Sequence, residues 1–205
     1  MPDSSRVGEP MLVGEPPEVG EPLLVDEPLS PPIISTALDF AGRVWDVRRD
    51  VVDYNGHEIT RDYVDHPGAV AVLVLDDDDR ALLIQQYRHP IRSRDWEIPA
   101  GLLDIENEDP LVAAQRELAE EVDLVASDWS ELVTFYSSPG GSNELIRVFL
   151  ARGISATPQA FDRHEEEADI LIRWVPLEDI RAGVLEGRLR NSILAIAVLA
   201  AHARS

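Results

Sequence analysis

Three glutamates on one helical face set the tightest limit on how this chain can fold. Residues 110–122 repeat apolar positions at helical spacing, so that Leu111, Ala114, Leu118 and Val122 fall on one stripe. Glu117, Glu120 and Glu121 gather on the adjacent face, at spacings at which like charges repel. Asp109 is the predicted N-cap, and Pro110 fits the first helical position, where its missing donor costs nothing. The stripe has to be buried while the carboxylates stay compensated, and Arg116, four before Glu120, neutralises only part of their charge. A solvated acidic face satisfies the helix. So does a site for a hard cation such as Mg²⁺ or Mn²⁺, which prefers oxygen ligands.

The rest of the chain narrows the classes. Lys plus Arg is 18 against 39 for Asp plus Glu, a formal net charge of −21. Such a chain is a poor electrostatic partner for nucleic acid or an anionic membrane, and an anionic substrate needs a bound cation or a few well-placed arginines. Cysteine is absent, which removes disulfides, thiolate catalysis and cysteine-ligated zinc. His57, His66, His89, His164 and His202 show no paired helical spacing, so a histidine zinc site is not expected. The start lacks a basic and apolar leader, and the longest apolar run, Ile193 to Ala201, is far below the roughly 18 residues of a membrane span, which predicts a soluble cytoplasmic protein.

Val-Gly-Glu-Pro recurs from Val7, Val13 and Val19, with Val-Asp-Glu-Pro from Val25. Regular proline with glycine and glutamate forms neither helix nor central strand, so residues 1–34 are read as a disordered tail. Strands are predicted over Val44–Val52, His57–His66, Ala69–Leu75, Ala81–Tyr87, Trp129–Tyr136, Glu144–Ala151 and Ile170–Val175. Leu177–Glu186 and Ser192–Ala203 read as helices, and the run Asp76–Asp79 as a hairpin loop. A glycine-led loop is expected after Glu97-Ile98-Pro99-Ala100-Gly101. Many strands and few helices without strict alternation give an α+β class.

The segment from Gly101 to Glu108, followed by Arg116-Glu117-Leu118-Ala119-Glu120-Glu121-Val122-Asp123-Leu124, resembles the signature of Nudix hydrolases, a loop–helix–loop that binds divalent metal. Two departures stand out: one extra residue between Gly101 and Glu108, and Asp123 where the family has glycine. Pro139 within Ser137–Glu144, together with Gln86-Tyr87-Arg88 and His66-Pro67-Gly68-Ala69-Val70, resembles the ADP-ribose pyrophosphatase branch. The resemblance implies a mixed β-sheet sandwiched between helices over residues 67–205, and an N-terminal antiparallel strand subdomain over 35–66 that makes a homodimer.

By that resemblance, Glu117 and Glu121 ligate Mg²⁺ or Mn²⁺ with the Ala100 carbonyl, Glu120 is a ligand or base, and Arg116 orients the carboxylates. Glu167, or its neighbour Glu166, is the catalytic carboxylate of a loop remote from the helix. Arg88 meets the pyrophosphate, Gly101 lies against the substrate, Trp45 and Arg61 sandwich adenine, and Glu144 organises the metal cluster or ribose. For Trp45 a core position is the alternative reading. The activity implied is hydrolysis of ADP-ribose to AMP and ribose 5-phosphate. Another nucleotide sugar or dinucleotide as substrate, and a non-catalytic ligand sensor, are the alternatives.

Overall fold

The computed structural model describes residues 24–158 and 170–204. Most of the tail therefore lies outside the described residues, as do Glu166 and Glu167. Three strands come first: β1 (Ile33–Phe40), β2 (Asp46–Tyr54) and β3 (His57–Asp65), an antiparallel sheet in the order β1-β2-β3. Asn55 and Gly56, at φ 55° and 79°, make the two-residue turn that Asn-Gly favours between β2 and β3. Ile33 and Ile34, assigned to the tail by sequence, belong to β1.

Two further sheets form the body. β5 (Arg80–Arg88) lies between β6 (Ser93–Glu97) and β10 (Leu171–Pro176). The other sheet runs β7 (Ala100–Leu102), β4 (Ala69–Val74), β9 (Leu145–Ala156), β8 (Leu124–Tyr136), with β4 and β9 parallel and the remaining pairs antiparallel. Every residue of β4 is buried, as expected of a continuous apolar run covered on both sides. Its alternate residues serve different layers. Val70, Val72 and Val74 pack with Leu82 and Ile84 against Ala113, Ala114, Leu118 and Val122 of α1 (Pro110–Val122). Ala71 and Leu73 pack with Leu83 and Val148 against Ile180 of α2 (Leu177–Leu185) and Leu194, Ala197 and Val198 of α3 (Ser192–Arg204). Each large side chain buried this way stabilises the fold by about 1.5–3 kcal/mol relative to exposure.

The aspartate run between β4 and β5 is a turn. The Asp76 carboxylate accepts from the backbone N–H of Asp78 at 3.0 Å and of Arg80 at 2.9 Å, so local hydrogen bonding explains its first carboxylate. The loop expected after Gly101 begins after Leu102, because Ala100–Leu102 pairs with β4 as a short edge strand. No helix among the described residues is long and apolar enough to cross a membrane.

Candidate functional site

Helix α1 is fixed at both ends by its own sequence. The Asp109 carboxylate accepts from the Leu111 N–H at 2.8 Å. At the other end Asp123 is left-handed, at φ 55° and ψ 36°, and its N–H reaches the Ala119 carbonyl at 3.1 Å. Aspartate tolerates this conformation better than most residues, so the helix closes without the glycine.

Strand β7 runs along the carboxylate face of α1. The Ala100 N–H donates to Glu121 Oε2 at 3.0 Å, and Glu121 is only 6% exposed. Gly101 lies so close to Glu117 that a Cβ there would fall 1.9 Å from its Cδ. The glycine is required by this approach, since no larger residue fits with Glu117 where it stands.

Arg116 gathers the remaining acids. Its Nε and Nη2 donate to the two oxygens of Glu108, each at 3.1 Å, while Nη1 donates to Glu117 at 2.6 Å and Glu120 at 3.1 Å. These contacts, that of Glu108 foremost, raise the guanidinium pKa above its ordinary value against the opposing effect of burial. Three carboxylates thus meet one cation, with Glu121 beside them on the Ala100 N–H, and all the acidic donor atoms are oxygen. A hard divalent cation suits that donor set and its excess negative charge. Among the described residues, no three acidic or imidazole side chains converge as a finished metal cage. Arg116 and the Ala100 N–H draw the carboxylate oxygens toward themselves.

Arg88 stands at the end of β5, on the face that carries Leu82, Ile84 and Gln86 toward α1. Its guanidinium forks onto Glu97, with Nε to Oε1 at 2.7 Å and Nη2 to Oε2 at 2.6 Å. Glu97 is 4% exposed, whereas the Arg88 side chain is 42% exposed. Sequence reasoning passed over Glu97. The signal available was a lone carboxylate beside the apolar Ile98-Pro99-Ala100, a position where a charge is buried only if paired.

The loop 137–144 is stitched to β3. The Val64 N–H donates to the Gly141 carbonyl at 2.9 Å, and the His66 N–H to Asn143 Oδ1 at 2.8 Å. Glu144 accepts from the Ser137 hydroxyl and lies 3.5 Å from Nε2 of His66, whose side chain is buried. Between strand and loop is a cavity of about 520 Å³ lined by Arg61, Tyr63, Tyr136, Pro139 and Asn143. Trp45 is elsewhere: its ring packs on His66 with centroids 5.6 Å apart and is half exposed, so it is not a core residue. The β2–β3 register pairs Asp46 with Asp65 and Asp50 with Arg61, which separates Trp45 and Arg61 along the ladder of one chain.

The chain is similar to proteins of known family. Residues 65–194 match the NUDIX domain. An ADP-ribose pyrophosphatase of Mycobacterium tuberculosis is 43% identical over 171 residues, covering 83% of this chain and 82% of that protein. A Bacillus methanolicus protein named methanol dehydrogenase activator is 37% identical over 80% of this chain and 89% of its own length. An ADP-ribose pyrophosphatase of Bacillus subtilis is 38% identical over 68% of this chain and 75% of its own. Among solved structures, an ADP compounds hydrolase superposes with a TM-score of 0.71 at 21% identity, covering 88% of this chain and 96% of that one, a likeness of fold. The match encloses α1, its carboxylates and the sheets that position them, and the chain belongs to the Nudix family.

Proposed function

We propose that this protein is a Mg²⁺- or Mn²⁺-dependent hydrolase that splits the pyrophosphate of ADP-ribose into AMP and ribose 5-phosphate, and that it works as a homodimer. The observation that carries the reading is the cluster of Glu108, Glu117 and Glu120 about Arg116, with Glu121 held beside it by the Ala100 N–H of β7. The substrate rests on relatives named ADP-ribose pyrophosphatase at 43% and 38% identity.

Glu117, Glu120 and Glu121, with the Ala100 carbonyl, are the groups assigned to hold the cation. A divalent cation there supplies Lewis acidity toward phosphoryl oxygens and lowers the pKa of water. Arg116 spaces the carboxylates it meets. Arg88 is assigned to the pyrophosphate, for which a guanidinium offers paired donors. Arg61, in the cavity with Pro139 and Tyr136, is assigned to the adenine side together with Trp45. Both chains of a dimer then contribute, since the two residues lie apart within one chain. Glu144 is assigned to the ribose side, steadied by Ser137 and His66. Glu167, with Glu166 as the other choice, is assigned the proton from the attacking water. Leu171, which follows that segment in sequence, pairs with Gln85 of β5, the strand that ends at Arg88.

The homodimer rests on β1, where all eight residues are exposed and Ile33, Ile34, Leu38 and Phe40 are each 51–64% exposed. An apolar strand of this kind is covered in a soluble protein, and a second copy is the occupant proposed.

Glu121→Gln tests the cluster. The amide still accepts from Ala100 but loses the charge, and we expect turnover to fall at least about 100-fold with the fold intact. Activity within a factor of about two of wild type, in a folded variant, removes Glu121 from the essential set.

A further inference from the structure

We propose that Glu97 is a positioning residue, which fixes the guanidinium of Arg88 so that its outer edge is presented to the substrate's phosphates. The inference rests on the assignment of Arg88 to the pyrophosphate made above. A carboxylate that is 4% exposed needs a strong partner, and Glu97 has one in the two-pronged contact with Arg88 at 2.7 and 2.6 Å. The Gln86 amide, 3.4 Å from Oε2, braces the same carboxylate from the neighbouring position of β5.

The two ends of this pair are anchored differently. Glu97 pairs across the sheet with Ile84, whose side chain is in the core beneath α1. Arg88 is the last residue of β5, before the 3₁₀ turn His89–Ile91, and much of its side chain faces solvent. The buried acid thus ties a surface arginine to the rigid interior. Its fork takes Nε and the near N–H of Nη2, and the edge formed by Nη1 with the far N–H of Nη2 turns away from the acid. That second edge has the spacing to meet two phosphate oxygens. A long side chain held in one orientation before binding raises affinity without any new contact to substrate.

The test is steady-state hydrolysis of ADP-ribose with Mg²⁺ by the full chain and three variants: Glu97→Gln, Arg88→Gln and the double substitution. Because a misplacement of about 1 Å lowers activity by up to about 100-fold, we expect Glu97→Gln to lower kcat/KM by about tenfold, chiefly through KM. Arg88→Gln should lose at least as much, and the double variant should be no worse than Arg88→Gln alone. A merely structural role instead predicts losses that multiply in the double variant and a matching fall in thermal midpoint. Multiplying losses, or an unchanged kcat/KM in Glu97→Gln when Arg88→Gln is impaired, overturns the positioning role and leaves the pyrophosphate assignment standing. An unchanged Arg88→Gln overturns both, as does a wild type that turns over no ADP-ribose. If Glu97→Gln does not fold, Glu97→Asp keeps the charge, draws the guanidinium back by one methylene, and is read by the same comparison in the Arg88→Gln background.

Discussion

A methyl group on Gly101 would land 1.9 Å from the Cδ of Glu117, and Glu117 would have to swing away. Gly101→Ala should therefore lower turnover about 100-fold, the cost of misplacing a reacting group's support by an ångström or more. Its thermal midpoint should stay near wild type, because the displaced atoms belong to a flexible side chain. Kinetics and a melting curve on the same sample check this, and a variant with full activity contradicts the tight seam between β7 and α1. The residues of that seam were legible before the fold because their meaning lies in local spacing: carboxylates three and four apart on one helix share a face in any protein. Glu97 was not legible. Its partner Arg88 comes from another strand, and only the pairing of β5 with β6 brings the two together. His66 was hidden for the same reason, since its neighbour Glu144 arrives from a distant loop.

Elements with punctuation at their ends were read well. The bounds of α1 follow from Asp109, Pro110 and Asp123, and the observed helix spans Pro110–Val122 as expected. Asp109→Ala removes the capping bond to Leu111 and should destabilise the protein by about 1 kcal/mol. For a chain of this size that lowers the midpoint by about 2–4 °C. A melt within error of wild type contradicts the cap. Elements held by context were missed. Strand β6, Ser-Arg-Asp-Trp-Glu, has no apolar alternation to announce it, and β7 is three residues long, so both exist because β5 and β4 offer them an edge. Strand β1 was passed over because its residues are exposed throughout and alternation was the signal sought.

At the scale of the whole molecule, the proposed homodimer is argued from the exposed apolar face of β1 and from the separation of Trp45 from Arg61 within one chain. Sedimentation at about 10 µM should give a dimer, and Leu38→Asp with Phe40→Asp should give a folded monomer of reduced activity, because two buried charges per strand outweigh the apolar contacts they replace. A wild-type monomer contradicts the dimer. The α+β layering was legible from alternating runs and an apolar helix stripe, since burial on two sides leaves a continuous pattern such as β4. What spacing could not supply is which side chains from different layers meet.

The most direct test of the central claim is release of AMP from ADP-ribose, compared with ADP-glucose, NADH and, as GMP, GDP-mannose, each with Mg²⁺ and with chelator. The account predicts turnover that prefers ADP-ribose and vanishes with chelator. Turnover untouched by chelator would contradict the role given to the carboxylate cluster, and binding of ADP-ribose without any hydrolysis would contradict the enzyme itself.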